Sequence, residues 1–182
     1  AWDLNSAREM GPLKAEYRDN GKVAHLGIVF SICHKKHAEK AKEHWKYKGR
    51  VVFKETTYTE SSQYAVFSEQ GTSASHMEAT KFLDAIARTL GMIGQDADAI
   101  GAYTQVKLSE ATRLLGLGVI PETWISCKSI PRERWPKKWS SLVDPHVPLL
   151  RNLYGHPLAG LLWEKFCEEH LLQLGFEKVP QW

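Results

Sequence analysis

Two aspartates stand close to an aromatic residue in the segment QDADAIGAYTQ, residues 95–105. Asp96 and Asp98 alternate, small residues follow, and Tyr103 comes next. Aspartate often caps a helix or begins a turn by accepting hydrogen bonds from backbone N–H groups. A carboxylate at the end of a buried strand can instead hold a cation such as Mg²⁺, which prefers oxygen ligands. The local pattern leaves both interpretations open.

Length and composition limit the class of protein. The 182 residues are 43% apolar and 25% charged, as expected of a soluble globular protein with one domain or two closely packed subdomains. We expect no transmembrane span, because no apolar run is long enough, and the start, AWDLNSARE, lacks the pattern of a secretory signal. Three widely spaced cysteines, Cys33, Cys127 and Cys167, favour free thiols and a reducing compartment.

The basic residues are concentrated between His34 and Lys54. The net charge of the chain is +3, whereas this segment has eight Lys or Arg residues against two acids, Glu39 and Glu43. Such a block is often a solvated face of a helix or a loop. Together with the aromatic side chains of Trp45 and Tyr47, it could also bind phosphates and stack on bases.

Strands and helices interleave along the chain. Strand-like segments at 24–33 and 47–53 flank the basic residues and predict a hairpin with outward-facing lysines. The segment 76–90 has apolar residues at helical spacing, with Ser75 as a possible cap and Gly91 at its end.

Further elements follow in the second half. A strand-to-helix passage runs through Asp98 and Tyr103, and ETWIS at 122–126 predicts a short strand. A second amphipathic helix is expected from about Pro157 to Leu174. We predict an α+β fold with two parts, a basic hairpin subdomain at 1–75 and a sheet with helices at 76–182.

Four ordered blocks resemble copia-type LTR-retrotransposon reverse transcriptases. GIVFSIC with KYKGRVVFK is similar to the fingers hairpin, and ATKFLDAIART is similar to the helix that follows it. QDADAIGAYTQ resembles the first catalytic motif of the palm, and LLRNLYGHPLAGLLWEK resembles the Leu-Tyr-Gly motif with its helix. The resemblance covers nearly the whole chain. It implies a reverse-transcriptase-like fingers hairpin and a partial palm sheet packed on helices.

The resemblance implies a catalytic role for Asp98 and a nucleotide-binding role for Tyr103. In the family's first motif an Asp is followed five residues later by an aromatic, a spacing that Asp98 and Tyr103 share and Asp96 lacks. Asp98 would coordinate Mg²⁺, which binds phosphate oxygens and lowers the pKa of the attacking hydroxyl. Tyr103 would lie under the incoming sugar and exclude a 2′-hydroxyl. Its ordinary alternative is a core aromatic with its hydroxyl at the surface.

Four further residues would bind the nucleotide. Lys48 and Arg50 would reach the triphosphate from the fingers, and Arg offers the more rigid fork. Gly155, with Tyr154 before it, would let the backbone approach the nucleotide or template closely. The ordinary alternatives are a solvated strand edge for the two cations and a turn for the glycine.

The chain departs from the family in two places. HPLAG follows Leu-Tyr-Gly where the family usually has Leu-Lys-Gln-Ala-Pro, so a lysine is lost. The family's later Tyr-x-Asp-Asp hairpin is missing, and no Asp-Asp pair occurs in the 182 residues. One carboxylate of three does not support two cations, so these residues alone are expected to lack polymerase activity.

Other sites have weaker patterns. Cys33 precedes a histidine-containing segment, but no second close pair completes a tetrahedral zinc site. Cys127 and Cys167 are not in a recognisable motif with a His or Asp partner.

Two functions from different classes remain. The first is a reverse-transcriptase-like fragment of a retroelement polyprotein, which would bind RNA or DNA primer-template and nucleotide. The second is a non-catalytic structural or accessory subunit in a larger protein assembly. Exposed tryptophans are common at interfaces and would support the second function, although they could equally be core residues. Those considered are Trp124, Trp135, Trp139 and Trp182.

Overall fold

A computed structural model of the protein describes residues 1–22, 24–56, 77–95, 97–116, 118 and 120–178, with only the backbone described at 77–79. The strands within these ranges are β1 (Arg8–Glu9), β2 (Ala24–Lys36), β3 (Lys46–Glu55), β4 (Glu122–Ser126) and β5 (Pro145–Pro148). The α-helices are α1 (Met10–Asp19), α2 (Met77–Ala87), α3 (Ala102–Gln105), α4 (Ala111–Leu115) and α5 (Ala159–Gln173). The predicted α+β class is confirmed.

The described strands form one mixed sheet in the order β1-β5-β4-β2-β3. Strand β2 pairs antiparallel with β3 and parallel with β4, whereas β5 is antiparallel to both β4 and β1. Strands from both sides of the predicted boundary between 75 and 76 therefore share a sheet. The division into two subdomains stays a prediction.

The predicted basic hairpin is confirmed and is longer than the sequence indicated. Its register pairs Gly27 with Glu55 at the base and Lys36 with Lys46 near the tip. Only the base of β2 also pairs with β4, from Ala24 to Ile28. The outer half consequently extends beyond the rest of the sheet, and most of its side chains are exposed.

The core divides into three apolar clusters that fix the sheet to its helices and loops. The first contains Phe53, Ile125, Cys127, Trp139, Val147, Leu149 and Leu153. The second joins α1 to β2 and β4, and the third joins α5 to the segment around Val106 and Ala111. Burial of these side chains, at roughly 25 cal/mol per Å² of apolar surface, favours this arrangement.

Other predicted elements agree closely with the structure. The helix expected at 76–90 is α2, the strand expected at ETWIS is β4, and the helix expected at 157–174 is α5. Gly175 follows α5 with φ of +87°, the left-handed conformation that commonly follows a helix, whereas α2 ends at Ala87, four residues before the predicted end at Gly91. The possible cap at Ser75 lies outside the described residues.

The strand expected before Asp98 is not formed, since the described residues 92–95 and 97–99 have no regular structure. A single turn of helix, α3, follows instead. Within the described ranges no helix is both long and apolar enough to span a bilayer.

Candidate functional site

Three side chains from distant parts of the sequence meet beside the middle of the hairpin. The ring centroids of Tyr103 and Tyr154 are 4.7 Å apart, with the planes tilted by 59°. The guanidinium carbon of Arg50 lies 5.3 Å from the centroid of the Tyr154 ring, a distance typical of a cation–π contact. We call Arg50, Tyr103, Tyr154 and Gly155 the aromatic–arginine cluster.

Tyr103 is positioned by a short helix that is tied to the segment before Tyr154. Gly101 begins α3 with φ of +61°, and its carbonyl oxygen accepts a 2.7 Å hydrogen bond from Thr104 Oγ1. The Arg151 guanidinium donates to the carbonyl oxygens of Thr104 and Gln105, at 3.2 and 3.1 Å. These contacts place Tyr103 next to Tyr154.

The turn that contains Tyr154 and Gly155 is bound directly to β3. The backbone N–H of Phe53 donates to the Tyr154 carbonyl oxygen at 2.7 Å, and Val52 forms a parallel bridge with Tyr154. Gly155 has φ of +83°. A Cβ at this position would collide with the Phe53 carbonyl oxygen and lie 2.8 Å from Val52 Cγ1. Only glycine therefore permits this contact between the turn and the strand.

Asn152 fixes the same turn from inside. Its side chain is fully buried; Nδ2 donates to the Ala159 carbonyl oxygen at 3.1 Å, and Oδ1 accepts from the Leu153 N–H at 3.0 Å. Its own N–H donates to the Val106 carbonyl oxygen at 2.9 Å. The turn, the start of α5 and the segment after α3 are thereby joined at one residue.

A buried polar chain lies beneath the cluster and links three elements. Thr123 Oγ1 on β4 is 3.1 Å from His25 Nδ1 on β2 and 3.1 Å from His156 Nε2 in the turn. His25 Nε2 lies 3.2 Å from Glu55 Oε1 at the end of β3. The Phe53 ring packs against both imidazoles, with centroids 5.2 and 5.4 Å away. We call His25, Thr123 and His156 the buried histidine chain.

The hydrogen bonds of this chain determine the direction of each donor. His156 Nδ1 accepts from the Leu158 N–H at 3.3 Å, so the proton of the neutral ring is on Nε2 and points to Thr123. The Thr123 hydroxyl then donates to His25 Nδ1, which places the proton of the neutral His25 ring on Nε2, 3.2 Å from Glu55 Oε1. The chain is complete only when both imidazoles are neutral.

Burial favours those neutral forms. It lowers the pKa of His25 to about 4. Burial, reinforced by repulsion from His25, lowers the pKa of His156 to about 3. Burial also raises the pKa of the nearby Glu55 carboxyl. At neutral pH the two histidines therefore serve as uncharged hydrogen-bonding groups.

The remaining nucleotide-binding candidate, Lys48, lies on the same strand as Arg50. Their cross-strand partners are His34 and Ile32, so both cations lie on one face of the hairpin and both are exposed. Near the tip, Lys35 Nζ lies 3.6 Å from the centroid of the Trp45 ring. The hairpin thus presents cations and aromatic rings together, as its sequence indicated.

Asp98 is exposed and lies three residues before the glycine that begins α3. Among the residues that the structure describes, no three His, Cys, Asp or Glu side chains are grouped closely enough to hold a metal ion. Asp96 is outside the described residues. The assignment of Asp98 as a Mg²⁺ ligand remains a prediction.

The three cysteines are free thiols. They are Cys33, Cys127 and Cys167, and burial raises the pKa of Cys127 to about 11, which disfavours its thiolate.

Two of the four tryptophans considered as interface residues, Trp124 and Trp139, are buried in the core. Their burial selects the core alternative for these two tryptophans and removes them as interface residues.

The sequence did not single out the buried histidine chain or Asn152. His25 lies in the apolar run of β2, and Thr123 lies in the short strand β4. A polar residue inside an otherwise apolar strand is a signal that it has a buried partner, but the partner cannot be identified from spacing.

Comparisons with known proteins give no relative for this chain. No family model, no curated protein and no solved structure matches it significantly.

Proposed function

We propose that the chain is a reverse-transcriptase-like fragment of a retroelement polyprotein, with a fingers hairpin and the first part of a palm. The observation that supports it best is the meeting of Arg50, Tyr103, Tyr154 and Gly155. These residues come from three of the blocks that resemble the copia-type enzymes. Their proximity is what a common nucleotide site requires of them.

The cluster has the chemistry to bind a deoxynucleoside triphosphate. Arg50 and Lys48 would neutralise phosphate oxygens, and a guanidinium can do so with two parallel hydrogen bonds. Tyr103 would pack against the sugar, where a 2′-hydroxyl would clash with its ring. Tyr154 would support Tyr103 and Arg50 from the side, since it contacts both.

The proposed metal chemistry depends on Asp98. Its exposed carboxylate would provide one oxygen ligand to Mg²⁺, and the metal would bind phosphate oxygens and lower the pKa of an attacking hydroxyl. The resembled family uses two further carboxylates for this site. The 182 residues alone are therefore proposed to bind nucleotide and primer-template without polymerising.

A specific observation also favours the second function, an accessory subunit in a protein assembly. Helix α2 has an apolar stripe of which Phe82 and Leu83 remain 54% and 49% exposed, and Ile86 is 36% exposed. Large exposed apolar stripes often mark protein interfaces. The two functions are compatible if the fragment retained its nucleotide site.

Nucleotide binding by the chain itself tests the proposal. Titration calorimetry with dTTP and Mg²⁺ should give saturable binding, which Arg50→Ala should weaken about ten-fold, the effect of losing one charge-assisted contact. Arg18→Ala removes an equal charge from an exposed position in α1 and should change the affinity less than two-fold. Equal affinities for the two variants and the unmodified chain would refute the site.

A further inference from the structure

The loop between β4 and β5 contains a cavity lined by cations and an aromatic ring. The cavity has a volume of about 220 Å³. Its lining residues are Arg132, Trp135, Pro136, Lys137, Ser140 and Leu142. The volume is many times the roughly 10–15 Å³ that one water molecule needs on the same measure, so there is room for a group larger than water. We call residues 128–142 the tryptophan loop.

The tryptophan loop is held in place by contacts within the loop and by a hydrogen bond to the N-terminal segment. Trp139 is buried and its Nε1 donates to the Leu4 carbonyl oxygen at 3.2 Å, which fixes the loop to the N-terminal segment. Trp135 Nε1 donates to the Ile130 carbonyl oxygen at 2.8 Å, and the Trp135 and Trp139 rings meet edge to face at 6.0 Å. The cavity is therefore formed before any ligand arrives, which lowers the entropic cost of binding.

The loop has an excess of positive charge that is only partly neutralised. It contains five basic residues, Lys128, Arg132, Arg134, Lys137 and Lys138, against one acid, Glu133. Lys128 pairs with Asp144 at 2.9 Å, and Lys138 donates to Asn5 Oδ1 at 2.6 Å. Within the part of the chain that the structure describes, no carboxylate lies in ion-pair range of the other three.

A second cavity differs from that of the tryptophan loop because its charged side chains are paired with one another. Between α4 and α5, a cavity of about 500 Å³ is lined by Arg113, whose guanidinium contacts both carboxylate oxygens of Glu169 at 2.7 and 3.0 Å. Its charges already neutralise one another. In the tryptophan loop the Arg132 guanidinium instead lies 5.1 Å from the centroid of the Trp135 ring, where it keeps its donors for an anion.

We propose that the tryptophan loop binds the backbone of single-stranded nucleic acid. Arg132 and Lys137 contact successive phosphates, one phosphate–sugar unit enters the cavity against Trp135 and Pro136, and the Ser140 hydroxyl donates to a phosphate oxygen. Cations beside an aromatic ring are the common means of holding a single strand without regard to base sequence. The site shares no residue with the aromatic–arginine cluster and does not rest on the proposed polymerase ancestry.

Fluorescence anisotropy with a fluorescein-labelled single-stranded oligo(dT) tests the proposal on the intact chain. The double variant Arg132→Ala/Lys137→Ala should weaken binding at least ten-fold at low salt. It should also reduce the slope of log K against log salt by about 1.4, because each phosphate contact on a single strand contributes about 0.7. The matched control, Lys14→Ala/Lys22→Ala, removes the same charge from α1 and the turn after it and should change affinity less than two-fold.

Three outcomes would overturn the assignment. One is an unchanged affinity of the loop variant, and another is an equal loss in both double variants, which would show only an effect of net charge. The third is displacement of the oligonucleotide by free dTMP at an equal phosphate concentration, which would indicate a mononucleotide site. A Lys48→Ala/Arg50→Ala variant separates the two proposals, because it should abolish dTTP binding while the contribution of the loop remains.

Discussion

The ring centroids of Tyr103 and Tyr154 are 4.7 Å apart, although β4, the tryptophan loop and β5 separate the two residues in the chain. Tyr154 also contacts Arg50 on β3 and is hydrogen-bonded through its carbonyl oxygen to Phe53. One tyrosine therefore connects the hairpin to the α3 segment. Changes that move the Tyr154 turn should alter both sides of the cluster together.

Replacing Gly155 by alanine should destabilise the fold more than an ordinary glycine replacement. Left-handed backbone costs a non-glycine residue about 1–2 kcal/mol, and forcing a Cβ against the Phe53 carbonyl adds about 1–3 kcal/mol. Gly175→Ala is the matched control, because Gly175 has φ of +87° and no heavy atom within 4 Å of the added Cβ. Urea unfolding should show a loss of about 3 kcal/mol for Gly155→Ala and about 1 kcal/mol for the control.

Equal losses for the two glycine variants would contradict the close contact between the turn and β3. The comparison is informative because backbone strain is nearly the same at both positions.

The hydroxyl group of Thr123 should contribute more to the stability of the fold than its methyl group. Thr123→Val keeps the shape but leaves two buried imidazole nitrogens without their partner, which should lower the free energy of unfolding by about 2–4 kcal/mol. Thr123→Ser keeps the hydroxyl and loses one methyl group, at a cost of about 1 kcal/mol. If valine proved as stable as serine in urea unfolding, the hydrogen-bonded chain would have no role in stability.

Stability should fall between pH 6.5 and pH 5. The buried histidines have pKa values of about 4 and about 3 in the folded state, below the ordinary 6.5, so the unfolded chain binds protons that the folded chain does not. The stability they provide is full above pH 6.5 and is lost as the pH falls. Each should reduce the free energy of unfolding with a slope that starts near 0.7 kcal/mol per pH unit at pH 6.5 and approaches about 1.4 kcal/mol per pH unit at pH 5.

Urea unfolding at pH 7, 6 and 5 measures this slope. The window lies above the ordinary pKa of carboxyl groups, which limits their contribution. Glu55 is the exception, because its raised pKa lets the folded chain take up a proton there and opposes the slope. A free energy of unfolding that stays constant or rises toward pH 5 would show that the two imidazoles become protonated without cost.

Asp98→Ala should remove the proposed metal-dependent activity while leaving the stability of the fold almost unchanged. Its side chain is exposed, so the free energy of unfolding should change by less than about 0.5 kcal/mol. In a longer chain that supplies a Tyr-x-Asp-Asp segment, the same change should abolish Mg²⁺-dependent DNA synthesis on a primer-template. Full synthesis by that variant would remove Asp98 from the proposed metal site.

Local sequence patterns predicted the longer strands and helices. The Val, Ile and aromatic residues of β2 and β3 and the apolar spacing in α2 and α5 are visible in the sequence because each element is long. Strand β5 was not predicted, since it has four residues and a proline at each end. Helix α1 was not predicted either, and its first turn contains Gly11 and Pro12.

Contacts between distant segments could not be predicted from local sequence patterns. The order of the strands, and the meeting of His25, Thr123 and His156, depend on how separate elements pair, and no local pattern records that pairing. The proximity of Arg50, Tyr103 and Tyr154 likewise has no local pattern, and only the resemblance to a known family suggested that these residues share a site. Burial of Trp124 and Trp139 also needed the structure, since the sequence allowed either a core or an exposed position.

Discrimination between dATP and ATP tests the proposed nucleotide site most directly. In titration calorimetry with Mg²⁺, the unmodified chain should bind dATP at least ten-fold more tightly than ATP, and Tyr103→Phe should retain this preference because it keeps the ring. Tyr103→Ala should bind the two nucleotides equally, since the 2′-hydroxyl no longer meets an aromatic wall. Equal binding of dATP and ATP by the unmodified chain, or an undiminished preference in Tyr103→Ala, would contradict the proposed site.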